Sequence, residues 1–183
     1  MKISDFIKTN YFIKKKIANA YRNNNRRHEF HSFQDIRKVL ILFNMEDWTY
    51  IDRIIRDLQD KGKTVFGWTL KPKHEENAPI LPQNVRMIDP AKDLSWQQLP
   101  AGHVTGEFKN MEYDTLFDLT TKTRYYMTYL LMLNDSKLSV GIKEIEEKMY
   151  DCIILKEEDK DLYETYEQIK FYLDNMFGSV NNS

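Results

Sequence analysis

A small set of polar residues could do chemistry in this chain, and their types suit anion binding better than bond making. Asn44 closes one apolar run, Asp118 closes another, and Thr120 and Thr121 stand just beyond Asp118. An amide, a carboxylate and two hydroxyls where a strand turns into a helix, next to the free N–H groups of that helix start, suit a phosphorylated metabolite. Gly141, a little further off, ends a later strand. The same residue types are ordinary helix caps, so Asn44 and Thr120 or Thr121 are also read as caps and Asp118 as a partner of the same orphan donors, the plainer reading of the two. Asp151 opens its strand rather than closing it, and is read as structural.

Other chemistries lack their residues. No G-x-G-x-x-G follows the first strand, where Asn44-Met45-Glu46-Asp47 stands, and no G-x-x-x-x-G-K-[ST] occurs anywhere, so a glycine-lined phosphate cradle is not expected. There is no G-x-S-x-G, and the lone Cys152 lies in the apolar run 149–155, where it reads as a small buried hydrophobe. Of His28, His31, His74 and His103, only the first pair has H-x-x-H spacing, in a polar stretch where solvated side chains are the ordinary reading. Neither a metal nor a cofactor is expected.

A site at strand ends needs strands to end there. Residues 112–155 read strand, helix, strand, loop, strand, which is the βαβ pattern of a parallel sheet. Residues 38–43 (KVLILF) form a continuous apolar run, as a central strand covered on both faces requires. Trp48, Ile51, Ile55 and Leu58 then make one helical stripe, with Gly62 just past its end, and residues 64–70 follow as the next strand. Residues 72–84, with three prolines, lead irregularly to a short strand at 85–88. If the strands at 38–43 and 113–118 are neighbours, Asn44 and Asp118 open onto one crevice, with the helix after Asp118 starting near Thr121.

Two stretches resist this pattern. Residues 89–110, broken by Pro90, Pro100, Gly102 and Gly106, read as a long irregular loop, with Trp96 as either an interaction anchor or a tack holding the loop to the body. Residues 125–133 are apolar all round except for Thr128, so that helix must be buried all round, against the sheet and against a further element or subunit. The first helix carries Phe6, Ile7, Ile13, Ile17 and Tyr21 at helical spacing and stops at Asn23-Asn24-Asn25. The last is marked by Leu162, Tyr166, Ile169, Leu173 and Phe177.

The chain has 183 residues, which fits one domain burying about 70% of its unfolded surface. Its formal net charge of -1 hides a polarity: residues 1–27 carry eight basic side chains against Asp5 alone, whereas residues 143–174 carry eleven acids against five lysines. The basic arm, with Lys14, Lys15, Lys16, Arg22, Arg26 and Arg27, is therefore expected to meet nucleic acid, an anionic membrane surface, or the acidic end of its own or a neighbouring chain. No run reaches the roughly 20 apolar residues of a membrane span. Lys14-Lys15-Lys16 directly follows Phe12-Ile13, so no secretory leader is read, and a cytoplasmic location is expected.

Several segments together carry a resemblance: Tyr11-Phe12-Ile13-Lys14-Lys15-Lys16, Ile41-Leu42-Phe43-Asn44, Asp93-Leu94-Ser95-Trp96, Phe117-Asp118-Leu119-Thr120, Lys137-Leu138-Ser139-Val140-Gly141 and Tyr150-Asp151-Cys152-Ile153-Ile154. The chain resembles an uncharacterised family of short Bacteroidetes proteins, a domain of unknown function. That resemblance implies an α/β fold and a cytoplasmic location and brings no activity. Residues 113–142 alone are similar to a unit in the N-terminal half of heptosyltransferase-type glycosyltransferases, but this chain has no second nucleotide-binding half.

The expected architecture is a single Rossmann-like or flavodoxin-like α/β domain over residues 31–183, with five or six mainly parallel strands flanked by helices and a basic helical arm at 1–30. The expected function is that of a small non-enzymatic binding or assembly module that self-associates or meets a protein partner. The alternatives are a degenerate binder or enzyme for a phosphorylated metabolite at Asn44, Asp118, Thr120 and Thr121, and a peripheral membrane or nucleic-acid contact through the arm.

Overall fold

The computed structural model describes residues 3–72, 79–146 and 148–177, with side chains from residue 10 onward. His74 and the side chains of Phe6 and Ile7 lie outside that set. Six strands form one sheet, β1 (Lys38–Leu42), β2 (Thr64–Leu70), β3 (Val85–Ile88), β4 (Thr115–Asp118), β5 (Leu138–Gly141) and β6 (Cys152–Ile153). Every pairing is parallel and the order is β3-β2-β1-β4-β5-β6. This is the doubly wound arrangement of a Rossmann-like domain, in which the chain reverses its direction of travel between β1 and β4.

The apolar run of β1 is explained by its two covered faces. Val39, Ile41 and Phe43 enter one core with α2 (Trp48–Asp60) and α6 (Leu162–Phe177), while Leu40 and Leu42 enter another on the opposite face. α2 buries Ile51, Ile54, Ile55 and Leu58, each worth about 1.5–3 kcal/mol once removed from water. Asp57 on the same helix accepts from Tyr166 at 2.6 Å and from Lys170 at 3.1 Å, which fixes α6 beside α2.

The second face is covered by α4 (Gly102–Lys109) and α5 (Tyr125–Met132), and α1 (Ile3–Arg22) packs over α5. α5 therefore lies between sheet and helix, which is why its sequence has no polar face. Tyr126, Met127, Leu130, Leu131 and Met132 are buried, and Tyr125 at its start remains half-exposed. Ile13 and Ile17, one turn apart, are the buried contacts of α1. Asn24 then secures the helix end, its amide donating to the carbonyls of Met132 and Asn134 at 2.9 and 2.8 Å, which would otherwise be orphans at the end of α5.

Residues 89–110 are more regular than their prolines and glycines suggest. Asp89 accepts from the Ala91 N–H and Pro90 takes the first helical position of α3 (Pro90–Asp93), where its missing N–H costs nothing. A single antiparallel bridge, Leu94 to Pro100, closes the following loop. α4 then forms because Val104 and Phe108 are buried one turn apart, which outweighs the low helix propensity of Gly102 and Gly106. Trp96 is 79% exposed and tacks nothing to the body. Cys152 is only half-buried because β6 is the edge strand, and burial first, then nearby Asp151, raise its thiol pKa.

Candidate functional site

β1 and β4 are neighbours, with Leu42 in register with Asp118, so Asn44 and Asp118 lie at the carboxyl ends of adjacent strands where the sheet reverses, each bonded to different residues. The loop between them and α5 has a different form from the sequence reading. α5 starts at Tyr125, with Arg124 in the cap position, so Thr120 and Thr121 lie before the helix and do not cap it. The reason is local competition for hydrogen bonds. The Thr120 N–H and hydroxyl both bond to Asp118 Oδ1, at 3.0 and 2.5 Å, and the Thr121 hydroxyl lies 2.9 Å from Asp47 and 3.2 Å from Asn44. Asn44 makes no side-chain cap of its own helical turn; its Oδ1 accepts from the Lys122 N–H at 3.0 Å and stitches the two loops together.

Two residues that the sequence did not single out complete the cluster. Lys143 Nζ donates to Asp118 Oδ2 at 3.0 Å, to the Thr120 carbonyl at 2.8 Å and to the Thr120 hydroxyl. The Tyr150 hydroxyl donates to the same Asp118 oxygen at 2.5 Å. Burial first, and then the Asp118 carboxylate, push the Tyr150 pKa above the ordinary tyrosine range, so the hydroxyl stays a donor. The signal for Lys143 was its place two residues past the end of β5, beside the carboxyl end of β4. Gly141 has a packing reason: a Cβ there would sit 2.5 Å from the Tyr150 ring.

Asp118 is thus 4% exposed and both of its oxygens are occupied by its own chain. Two clefts, of about 540 and 480 Å³, lie at the opposite, amino-terminal ends of the strands, and neither is lined by Asn44, Asp118, Thr120 or Thr121. The arrangement holds a partly buried lysine on a buried carboxylate; of the four residues, Asn44, Asp118 and Thr120 are buried and Thr121 is exposed. Among the described residues no group of three His, Cys, Asp or Glu is placed to hold a metal ion.

The basic residues divide into two sets. Arg26 turns inward, 6% exposed, and pairs with Asp151 at 2.7 Å, so it is not free for an outer surface. Arg27 pairs with Glu29 at 2.9 Å, and Lys16 donates to Gln97 at 2.8 Å. Lys14, Lys15 and Arg22 remain exposed on α1. Among the described residues no helix is long and apolar enough to cross a membrane.

An all-parallel doubly wound sheet with a filled reversal point defines a Rossmann-like α/β protein. The chain belongs to the protein family described as "Family of unknown function (DUF6913)", which matches residues 9–176. No curated protein matches the chain.

Proposed function

We propose that this protein is a small non-enzymatic binding or assembly module of the cytoplasm. The observation that carries the reading is the saturation of Asp118. Lys143 occupies, with its ammonium group, the place where an anionic ligand's countercharge would be offered, and it spends that charge on the chain's own carboxylate. Tyr150 and Thr120 take the remaining acceptor capacity. A ligand would have to displace these bonds in a buried setting, where each one lost costs about 1–3 kcal/mol or more. A likeness of residues 113–142 to heptosyltransferase-type units and a Bacteroidetes kinship belong to the same proposal, and neither brings an activity. A compartment that keeps thiols reduced accords with one unpaired, half-buried cysteine.

The test is a thermal-shift and calorimetric titration of the full chain with inorganic phosphate, nucleoside diphosphates and sugar phosphates, each at about 100 times a millimolar-to-micromolar Kd. A true ligand at that excess stabilises the native state by about 2.7 kcal/mol. No shift is expected. A saturable shift with any of these compounds that Lys143→Ala or Asp118→Asn abolishes would overturn the reading in favour of a metabolite site.

A further inference from the structure

α1 lies outside α5 on one face of the sheet and α6 beside α2 on the other; Arg26, past the end of α1, pairs with Asp151, but among the described residues no ion pair joins Lys14, Lys15 or Arg22 to the acids of α6. Each helix also leaves aromatic side chains in water. On α1 these are Tyr11 and Phe12, 66% and 50% exposed; on α6 they are Phe171 and Tyr172, 63% and 44% exposed, with Met176 beside them at 55%.

The order of these groups is complementary. Along α1 the aromatic pair comes first, followed by Lys14 and Lys15 within one turn and Arg22 further on. Along α6 the acids Glu164 and Glu167 come first, Glu167 paired with Lys170 at 2.6 Å, and Phe171 and Tyr172 follow; before the helix stand Glu157, paired with Lys160 at 2.6 Å, and Glu158, so the segment stays net acidic. Laid antiparallel at about 1.5 Å per residue, aromatic meets aromatic and, about 5–15 Å further along, base meets acid. Laid parallel, the lysines of α1 would face the aromatic end of α6.

We infer that the protein self-associates head to tail, α1 of one copy docking antiparallel on the outer face of α6 of a second copy. This rests on the assembly-module reading. The contact is heterologous, so it leaves one unused surface at each end and extends to a ring or a filament. An anionic lipid surface would account for the basic, aromatic face of α1 but would leave the exposed aromatics of α6 unexplained. A second copy of this chain covers both.

Four proteins test this by sedimentation equilibrium at low and high salt. They are the wild type, an α1 variant (Lys14→Glu with Lys15→Glu), an α6 variant (Glu158→Lys with Glu167→Lys), and a chain carrying all four changes. The reversed residues are exposed, so circular dichroism and melting should show each protein folded. The wild type is expected to gain mass with concentration at low salt and to lose it at high salt. Each single-helix variant should associate at least about tenfold more weakly. A mixture of the two variants should associate again in alternation, because the reversed α1 of one matches the reversed α6 of the other and the unaltered α1 and α6 also match, and the fourfold variant should assemble by itself. A wild type that stays monomeric at millimolar concentration overturns the inference, as does a mixture that gains no mass. Salt-sensitive binding of wild-type α1 to phosphatidylserine vesicles or to a DNA duplex, without self-association, overturns it in favour of those partners. None of these outcomes bears on the ligand titration above, which tests the non-enzymatic reading separately.

Discussion

Replacing Arg26 by alanine removes the most highly connected basic side chain of the N-terminal segment. Its Nη1 donates to the Ser136 carbonyl at 3.0 Å, and its Nη2 to the Met149 carbonyl at 3.0 Å and to Asp151 Oδ2 at 2.7 Å. The guanidinium thereby ties the end of α1 to the turn before β5 and to the segment entering β6. Both side chains are nearly sealed, at 2% and 4% exposure, so this is a buried pair. Losing one partner of such a pair costs about 3–5 kcal/mol, because the other charge stays buried without compensation. Here Asp151 keeps the Ser139 N–H at 2.7 Å and His28 at 2.6 Å, which places the expected loss near the lower end, about 3 kcal/mol. At this chain length that corresponds to a fall in Tm of about 6–12 °C. Urea unfolding of Arg26→Ala should show the midpoint falling with the slope unchanged, the mark of lost stability in an unaltered fold. Arg26→Lys should recover only part of the loss, since an ammonium cannot reproduce the fork that reaches both carbonyls and the carboxylate. An Arg26→Ala protein within about 1 kcal/mol of the wild type, or an Arg26/Asp151 double-mutant cycle with no coupling, would refute the clamp.

Two further expectations concern acid stability and close packing. Burial is the largest influence on Asp57 and opposes its ionisation, but hydrogen bonds from Lys61, Tyr166 and Lys170 together outweigh it and bring the pKa from 3.8 to about 2. A lowered folded-state value means stability that is present above the unfolded pKa and lost as pH falls from about 4 to about 2. Asp57→Asn should flatten that part of the stability-against-pH curve, and an unchanged acid limb would show the carboxylate to be unimportant. Gly141→Ala drives a methyl group into the Tyr150 ring and should cost about 1–3 kcal/mol, as overpacked sites do. The penalty should shrink when Tyr150→Ala is introduced as well; an undiminished penalty would place the strain elsewhere.

The elements were legible wherever burial imposes a period. The run 38–43 announced a strand covered on both faces, the stripe Trp48, Ile51, Ile55 and Leu58 announced α2, and the apolar residues 125–133 announced a helix enclosed on all sides. The placing of Asn44 and Asp118 at one end of adjacent strands follows from strand ends and one assumed pairing, which the register of Leu42 with Asp118 provides. Residues 89–110 depart from the loop that their sequence suggests because glycine and proline report local propensity, whereas α4 exists through the tertiary burial of Val104 and Phe108.

What tertiary structure alone decided is where each charge goes. Lys14, Lys15 and Arg26 belong to one basic segment of the sequence, yet the first two face water and the third is sealed against Asp151, 125 residues away. Lys143 and Asp118 show no mutual spacing in the chain, but parallel pairing of β4 with β5 sets Asp118 opposite Gly141 and so brings the next lysine onto the carboxylate. Sequence patterning records which side chains avoid water, because that preference repeats with the period of the element. It does not record which opposite charge a side chain will find, because ion pairs and hydrogen bonds are chosen by the three-dimensional neighbours that the sheet order supplies.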